Sequence, residues 1–182
     1  GYVATANTLL YKVDTIRFAG AATATRTDAG TTDMGLAADQ FYNTDVNFTN
    51  VTFVVTDGFV TINPIEATVE IVGNNNTTEY DGNAHTVEGY VATASTPLYD
   101  VNANIKFTGT ATATRTDAGT TNMGLAADQF SNTNPNFSTV TFVVTDGFQT
   151  ITPVAGKVTV TVIEKSDTVE YDGNEYSITG YK

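Results

Sequence analysis

Apolar and polar residues alternate along much of this chain with a period of two, the spacing of strands that bury one face. In residues 139–145, Val140, Phe142 and Val144 fall on one side and threonines on the other. Ile105, Phe107, Gly109, Ala111 and Ala113 share a second face, opposite Thr108, Thr110, Thr112, Thr114 and Thr116. Val158, Val160 and Val162 alternate with Thr159 and Thr161. Asp57-Gly58, Asp81-Gly82, Asp146-Gly147 and Asp172-Gly173 are hairpin-type turn dipeptides between such runs. Helical spacing is confined to residues 36–41 and 125–130, one or two turns each. The expected core is Ile105, Phe107, Met123, Leu125, Phe130, Val140, Phe142 and Val144.

These runs recur. Gly1-Tyr2-Val3-Ala4-Thr5-Ala6 returns at residues 89–94, residues 22–32 return unchanged at 111–121, 34–41 at 123–130, and 52–59 at 141–148. A third partial copy matches Glu79-Tyr80-Asp81-Gly82-Asn83 with residues 170–174 and ends in Gly180-Tyr181. A period near 90 residues is too long for a solenoid unit and suits one small sandwich-sized domain. Asn63-Pro64 and Thr152-Pro153 punctuate the repeat, since proline lacks a ladder donor and stiffens a link. On that parsing 65–153 is a complete unit, 1–64 lacks its opening strands, and 154–182 supplies opening strands without a body. The alternative parsing runs from Gly-Tyr to Gly-Tyr, with 1–88 and 89–182 as two units. The fold expected is all-β: tandem small antiparallel β-sandwiches, immunoglobulin-like, each with one short helical turn. A β-grasp arrangement is the alternative, because of that turn.

Composition agrees with strands. Threonine is the most frequent residue, and branched or aromatic side chains pack well on a pleated surface. The formal net charge of −12 opposes phosphate backbones and anionic lipid, so neither nucleic acid nor membrane insertion of this segment is expected. Cysteine is absent, which excludes disulfides and thiolate metal sites. The opening at Gly1-Tyr2-Val3, inside a repeated motif, reads as a cut within a longer protein.

Residues 168–173, Thr-Val-Glu-Tyr-Asp-Gly, resemble the "YDG" opening of MBG/YDG-type repeats of bacterial cell-surface adhesin and stalk proteins. Residues 116–123 are similar to the central Asp-Ala-Gly-Thr-Tyr strand of that group, and 136–153 to its final hairpin. Thr32 and Thr121 depart from it by standing where an aromatic is usual. The resemblance covers essentially the whole chain. It implies a secreted, often wall-anchored protein of many repeats, from a Gram-positive source, with no catalytic residues.

The candidate chemistry is sparse. His85, the single histidine, aligns with Tyr176, which fits a strand residue at or near the surface better than a catalyst. Asp28/Asp117, Asp39/Asp128, Asp57/Asp146, Glu79/Glu170 and Asp81/Asp172 recur in pairs, yet no calcium-loop motif accompanies them, and turn formation is the reading preferred. Lys106 aligns with Arg17, which rules against a shared Lys–Asn isopeptide, because a guanidinium cannot act as the amine nucleophile. The threonine faces are read as strand surface. No catalytic, cofactor-binding or metal-ligating residue is assigned, and no cofactor. The expected function is a non-enzymatic stalk, fibre or adhesin scaffold at the cell surface. Its expected partners are neighbouring repeats or head-to-tail copies. The alternative is a module that grips a host glycan or protein and gains from avidity.

Overall fold

The computed structural model describes residues 1–180; Tyr181 of the third Gly-Tyr marker lies outside the described residues. The chain is all-β, in several small sheets with a few short helical turns. Residues 1–64 carry β1 (Ile16–Phe18), β2 (Gly30–Asp33), β3 (Phe41–Asn43) and β4 (Phe59–Ile62). β1 pairs with β3 and β2 with β4, both antiparallel. Next come β5 (Ile65–Gly73), β6 (Asn75–Glu79), β7 (His85–Glu88), β8 (Tyr90–Ala94), α1 (Val101–Asn104) and β9 (Ile105–Phe107). They are followed by β10 (Thr112–Arg115), β11 (Gly119–Asn122), β12 (Phe130–Asn132), β13 (Phe137–Thr145) and β14 (Phe148–Thr152). Residues 154–180 are exposed and form no strand.

Two three-stranded sheets organise the middle body, with orders β13-β5-β8 and β11-β14-β6. β7 pairs with β10 and β9 with β12, both antiparallel. Against the expectation of purely antiparallel sheets, β5 pairs parallel with β13 and β6 parallel with β14. The opening and closing strands therefore run side by side, and together they leave one sheet and enter the other. Asp146-Gly147 is accordingly no hairpin turn: β13 and β14 do not pair with each other but continue through a bend. Asp57-Gly58 occupies the same bend before β4, and Asp81-Gly82 joins β6 and β7, which also pair elsewhere.

The bend is where two backbones nearly touch. A Cβ at Gly73 would collide with the Gly147 amide nitrogen and lie 2.7 Å from its Cα, while one at Gly147 would meet the Asn74 carbonyl and, at 2.8 Å, Met123 Sδ. Glycine in both strands lets the pair turn the corner, as strands that switch sheets must. Asn74 pins the corner: its amide donates to the Gly89 carbonyl at 3.0 Å and its Nδ2 to the Glu88 carbonyl at 2.7 Å.

The core of the middle body contains all eight expected residues, Met123, Leu125 and Phe130 buried and the other five partly so. Its most completely buried side chains were not among them: Val69, Ile71, Gln149 and Ile151. Tyr90 packs edge-on against Phe107 and Phe130, and those two rings stack 4.7 Å apart. The helical readings fall on 3-10 turns at Ala38–Gln40 and Ala127–Gln129. Two further helical segments were not anticipated, Val13–Thr15 and α1. Between them lies a one-residue insertion, Asn104, and a cap: the Asp100 carboxylate accepts from the Asn102 and Ala103 amides, whereas Lys12 offers no side-chain cap.

Candidate functional site

The recurrent Arg-Thr-Asp-Ala-Gly-Thr-Thr segment is a turn wrapped around its own arginine. Arg115 donates from Nε to the Asp117 carbonyl at 2.8 Å, from Nη2 to Ala118 at 2.8 Å, and from Nη1 to Thr121 Oγ1 at 3.2 Å. Arg26 repeats this on Asp28, Ala29 and Thr32. The guanidinium's planar fork suits several carbonyls at once. It lies against Gly119, whose φ of 134° already places it outside the region L residues favour, and a Cβ there would strike the guanidinium. Thr32 and Thr121 accept from the arginine. The sequence reading passed over these arginines; the signal was an arginine four residues before a glycine in both copies.

This turn also joins the two bodies. Asn136, in the loop before β13, donates from Nδ2 to Asp28 Oδ1 at 2.9 Å and accepts from the Ala29 amide at 2.6 Å. Both ends of one carboxamide are thus spent on the neighbouring repeat. Asn136 is held by a run of turns in which the Asn134 amide donates to Asn132 Oδ1 and the Asn136 amide to Asn134 Oδ1. The first body builds the same loop with Asn43, Asp45 and Asn47, where Asn47 Nδ2 donates to Asp45 Oδ1 instead. One half of the junction therefore recurs at Asn47 and the other at the exposed Asp117 and Ala118.

Two more of the repeated acid pairs, Asp57/Asp146 and Asp81/Asp172, accept from backbone amides. Asp146 accepts from the Gly124 and Leu125 amides at 3.0 and 2.9 Å, and Asp57 accepts from Gly35 and Leu36. Asp81 accepts from the Asn83 amide and faces His85 Nε2 at 3.0 Å. Tyr176, the counterpart of His85, donates to Asp172 at 2.6 Å, so either ring serves the aspartate four residues before it. The His85 hydrogen bond, and then those from Asn83, hold the Asp81 carboxyl down at about 2. Tyr176 lowers Asp172 in the same way, and its own hydroxyl is raised by that bond. Lys106 is exposed on β9. Threonine hydroxyls meet across strands at 2.8 Å in three places: Thr31 with Thr61, Thr86 with Thr114, and Thr120 with Thr150. Among the described residues no three metal-ligating side chains converge, and no helix is long and apolar enough to cross a membrane.

One large groove opens on the first body, about 690 Å³, with Tyr2, Ile16, Leu36, Phe41, Phe48 and Phe53 in its wall. Its edges are residues 2–6 and 50–56, which are in no ladder. The corresponding edges of the middle body are β8 and β13, and β5 lies between them.

The class these features define is an all-β protein of several small sheets with a few short helical turns and an internally repeated sequence. No protein-family model, curated protein or solved structure matches this chain.

Proposed function

We propose that this chain is a structural segment of tandem repeats from an extracellular bacterial surface protein, acting as stalk, fibre or adhesin scaffold. The bead is 65–153, preceded by an incomplete bead at 1–64 and followed at 154–182 by the opening strands of the next. Each bead is a two-layer, immunoglobulin-like sandwich whose parallel strand pairs cross from one layer to the other. Its likeness to MBG/YDG-type repeats, carried by Tyr171-Asp172-Gly173 and residues 116–123, supports a secreted, wall-associated setting.

The observation that carries this reading is the carboxamide of Asn136 on Asp28 and Ala29, with the complementary halves repeated at Asn47 and Asp117. A contact whose two halves recur one repeat apart is head-to-tail, and it propagates along an array with the same orientation at each step. A load-bearing or spacing role needs that constancy, whereas an enzyme does not need its site copied into every unit. Two experiments test the reading. Small-angle scattering of the chain should show an extended particle whose inter-bead distance distribution broadens in Asn136→Ala; an unchanged distribution counts against the junction. Brief protease treatment of intact producing cells should release fragments of the repeat, and retention of all copies inside the cell would remove the surface assignment.

A further inference from the structure

We propose that the paired opening and closing strands of the middle body form a shear clamp, a mechanical device that resists stretching of the chain through this body. The function rests on the repeat-scaffold reading, in which tension passes along a tethered array from one body to the next.

The clamp follows from where the chain enters and leaves. It comes in at Ile65, the start of β5, and goes out at Thr152, the end of β14. β5 runs parallel to β13, from Ile65 opposite Phe137 to Val72 opposite Thr145. β6 runs parallel to β14, from Asn75 opposite Phe148 to Glu79 opposite Thr152. Entry and exit therefore lie at opposite ends of strands bonded side by side. Tension draws β5 and β6 back toward the entry and β13 and β14 forward toward the exit. The bonds of a parallel pair are evenly spaced, so a load along the strands falls on all of them together. Had the closing strands run antiparallel to the opening ones, entry and exit would share one end, and the same load would part the bonds one at a time.

No slack precedes the ladder at either end. At the entry the Ile65 amide donates to the Asn136 carbonyl at 3.0 Å, and Ser138 Oγ donates to the Ile65 carbonyl at 3.4 Å. At the exit the Tyr80 amide donates to the Thr152 carbonyl at 2.9 Å, and Thr152 Oγ1 donates to the Thr78 carbonyl at 3.2 Å. The first residue to feel the load on each side is already bonded across the pair.

The corner supplies a stop against sliding. A Cβ at Gly73 would strike the Gly147 amide nitrogen and lie 2.7 Å from its Cα. Drawing β5 back by one position brings Asn74 to that place, and by two positions Asn75. Both carry the Cβ that glycine lacks, so the pair cannot creep from one register to the next. Beyond the corner, the wholly buried Gln149 accepts from Asn76 Nδ2 at 3.2 Å. Sliding breaks that bond as well and strands a carboxamide in the core, the costly way to lose a hydrogen bond.

The chain has no cysteine, so handles can be attached to the full chain at chosen residues and pulled in an optical trap. Asn63, Thr139, Thr145 and Val154 are all exposed. Handles at Asn63→Cys and Val154→Cys shear both strand pairs. Handles at Asn63→Cys and Thr139→Cys pull on the same end of β5 and β13 and unzip them. Forced unfolding is governed by the unfolding barrier, and at equal loading rate the sheared protein should give way in one step at about twice the force of the unzipped protein or more. Asn63→Cys with Thr145→Cys, which shears β5 against β13 alone, should also exceed the unzipped protein. Equal forces in shear and in unzipping would overturn the proposal. So would release of β5 as a separate, earlier step when residues 63 and 154 are pulled. Either result leaves the Asn136 scattering and cell-surface tests untouched, so failure of the clamp and failure of the scaffold reading are told apart.

Discussion

Two bodies of almost the same sequence sit in this chain, and they are not packed alike. Phe130 is buried and Phe41 only partly; the same holds for Phe137 and Phe48, Met123 and Met34, Leu125 and Leu36, and Ala113 and Ala24. Residues 141–145 lie within β13, whereas the identical residues 52–56 are in no ladder. What differs is 65–88. β5 brings Val69 and Ile71 into the core, each worth about 1.5–3 kcal/mol when fully buried, and gives β13 a partner for its length. The aromatic centre survives without them: Tyr2 still packs edge-on against Phe18 and Phe41. Strand geometry in this repeat is thus imposed by the partner, since the same Thr-Phe-Val-Val-Thr run is a strand in one place and not in the other.

The sharpest way to break the comparison is at the corner. Gly147→Ala should cost about 3 kcal/mol or more, because its Cβ meets backbone that cannot withdraw. Gly58→Ala meets only Met34 Sδ, at 3.1 Å, on a half-buried side chain able to move, and should cost under about 1 kcal/mol. Paired urea titrations of the two variants read the difference, and equal costs would mean the first body already holds a β5-like strand. Next in size, Phe130→Ala should lose about 3–5 kcal/mol as a buried aromatic deletion, and Phe41→Ala clearly less. Asp146→Ala strands two amides and should cost about 1–3 kcal/mol; Asp57→Ala makes the same loss in a more open setting and should cost less.

The smallest effect is expected at His85. His85→Tyr should stay within about 0.5 kcal/mol of the parent, since Tyr176 already makes the equivalent bond. Acid exposes the pair. The folded Asp81 carboxyl, held down at about 2 from its ordinary 3.8, contributes stability that is complete above 3.8 and fades as pH falls through 2. In His85→Ala, an NMR titration should find that carboxyl moved back toward 3.8.

Much of this was legible in the sequence, and the misses share a cause. Alternation placed Val140, Phe142 and Val144 on the inner face and found β13, because a period of two needs no knowledge of the partner. Parallel pairing was not legible, since Asp146-Gly147 reads as a hairpin until β5 is seen beside β13. Val69 and Ile71 were overlooked beside glutamates at 66 and 70, although the alternation was there. Gln149 looked like surface, yet it is wholly buried, accepting from Asn76 Nδ2 and donating to the Thr150 carbonyl. Its first-body counterpart, Val60, gave no hint of a polar contact with β6. The junction escaped altogether: Asn136 and Asp28 are ordinary turn residues, and only their meeting across two repeats gives them a role.

The most direct test of the central claim, that the opening strands decide the state of an otherwise closely similar body, is amide hydrogen exchange of residues 52–59 and 141–148. The two stretches have the same eight residues, so their intrinsic rates match and any difference is structural. In dilute protein the account predicts strong protection at 141–145 and near-free exchange at 52–56. Equal protection of both stretches in dilute, monomeric protein would contradict it.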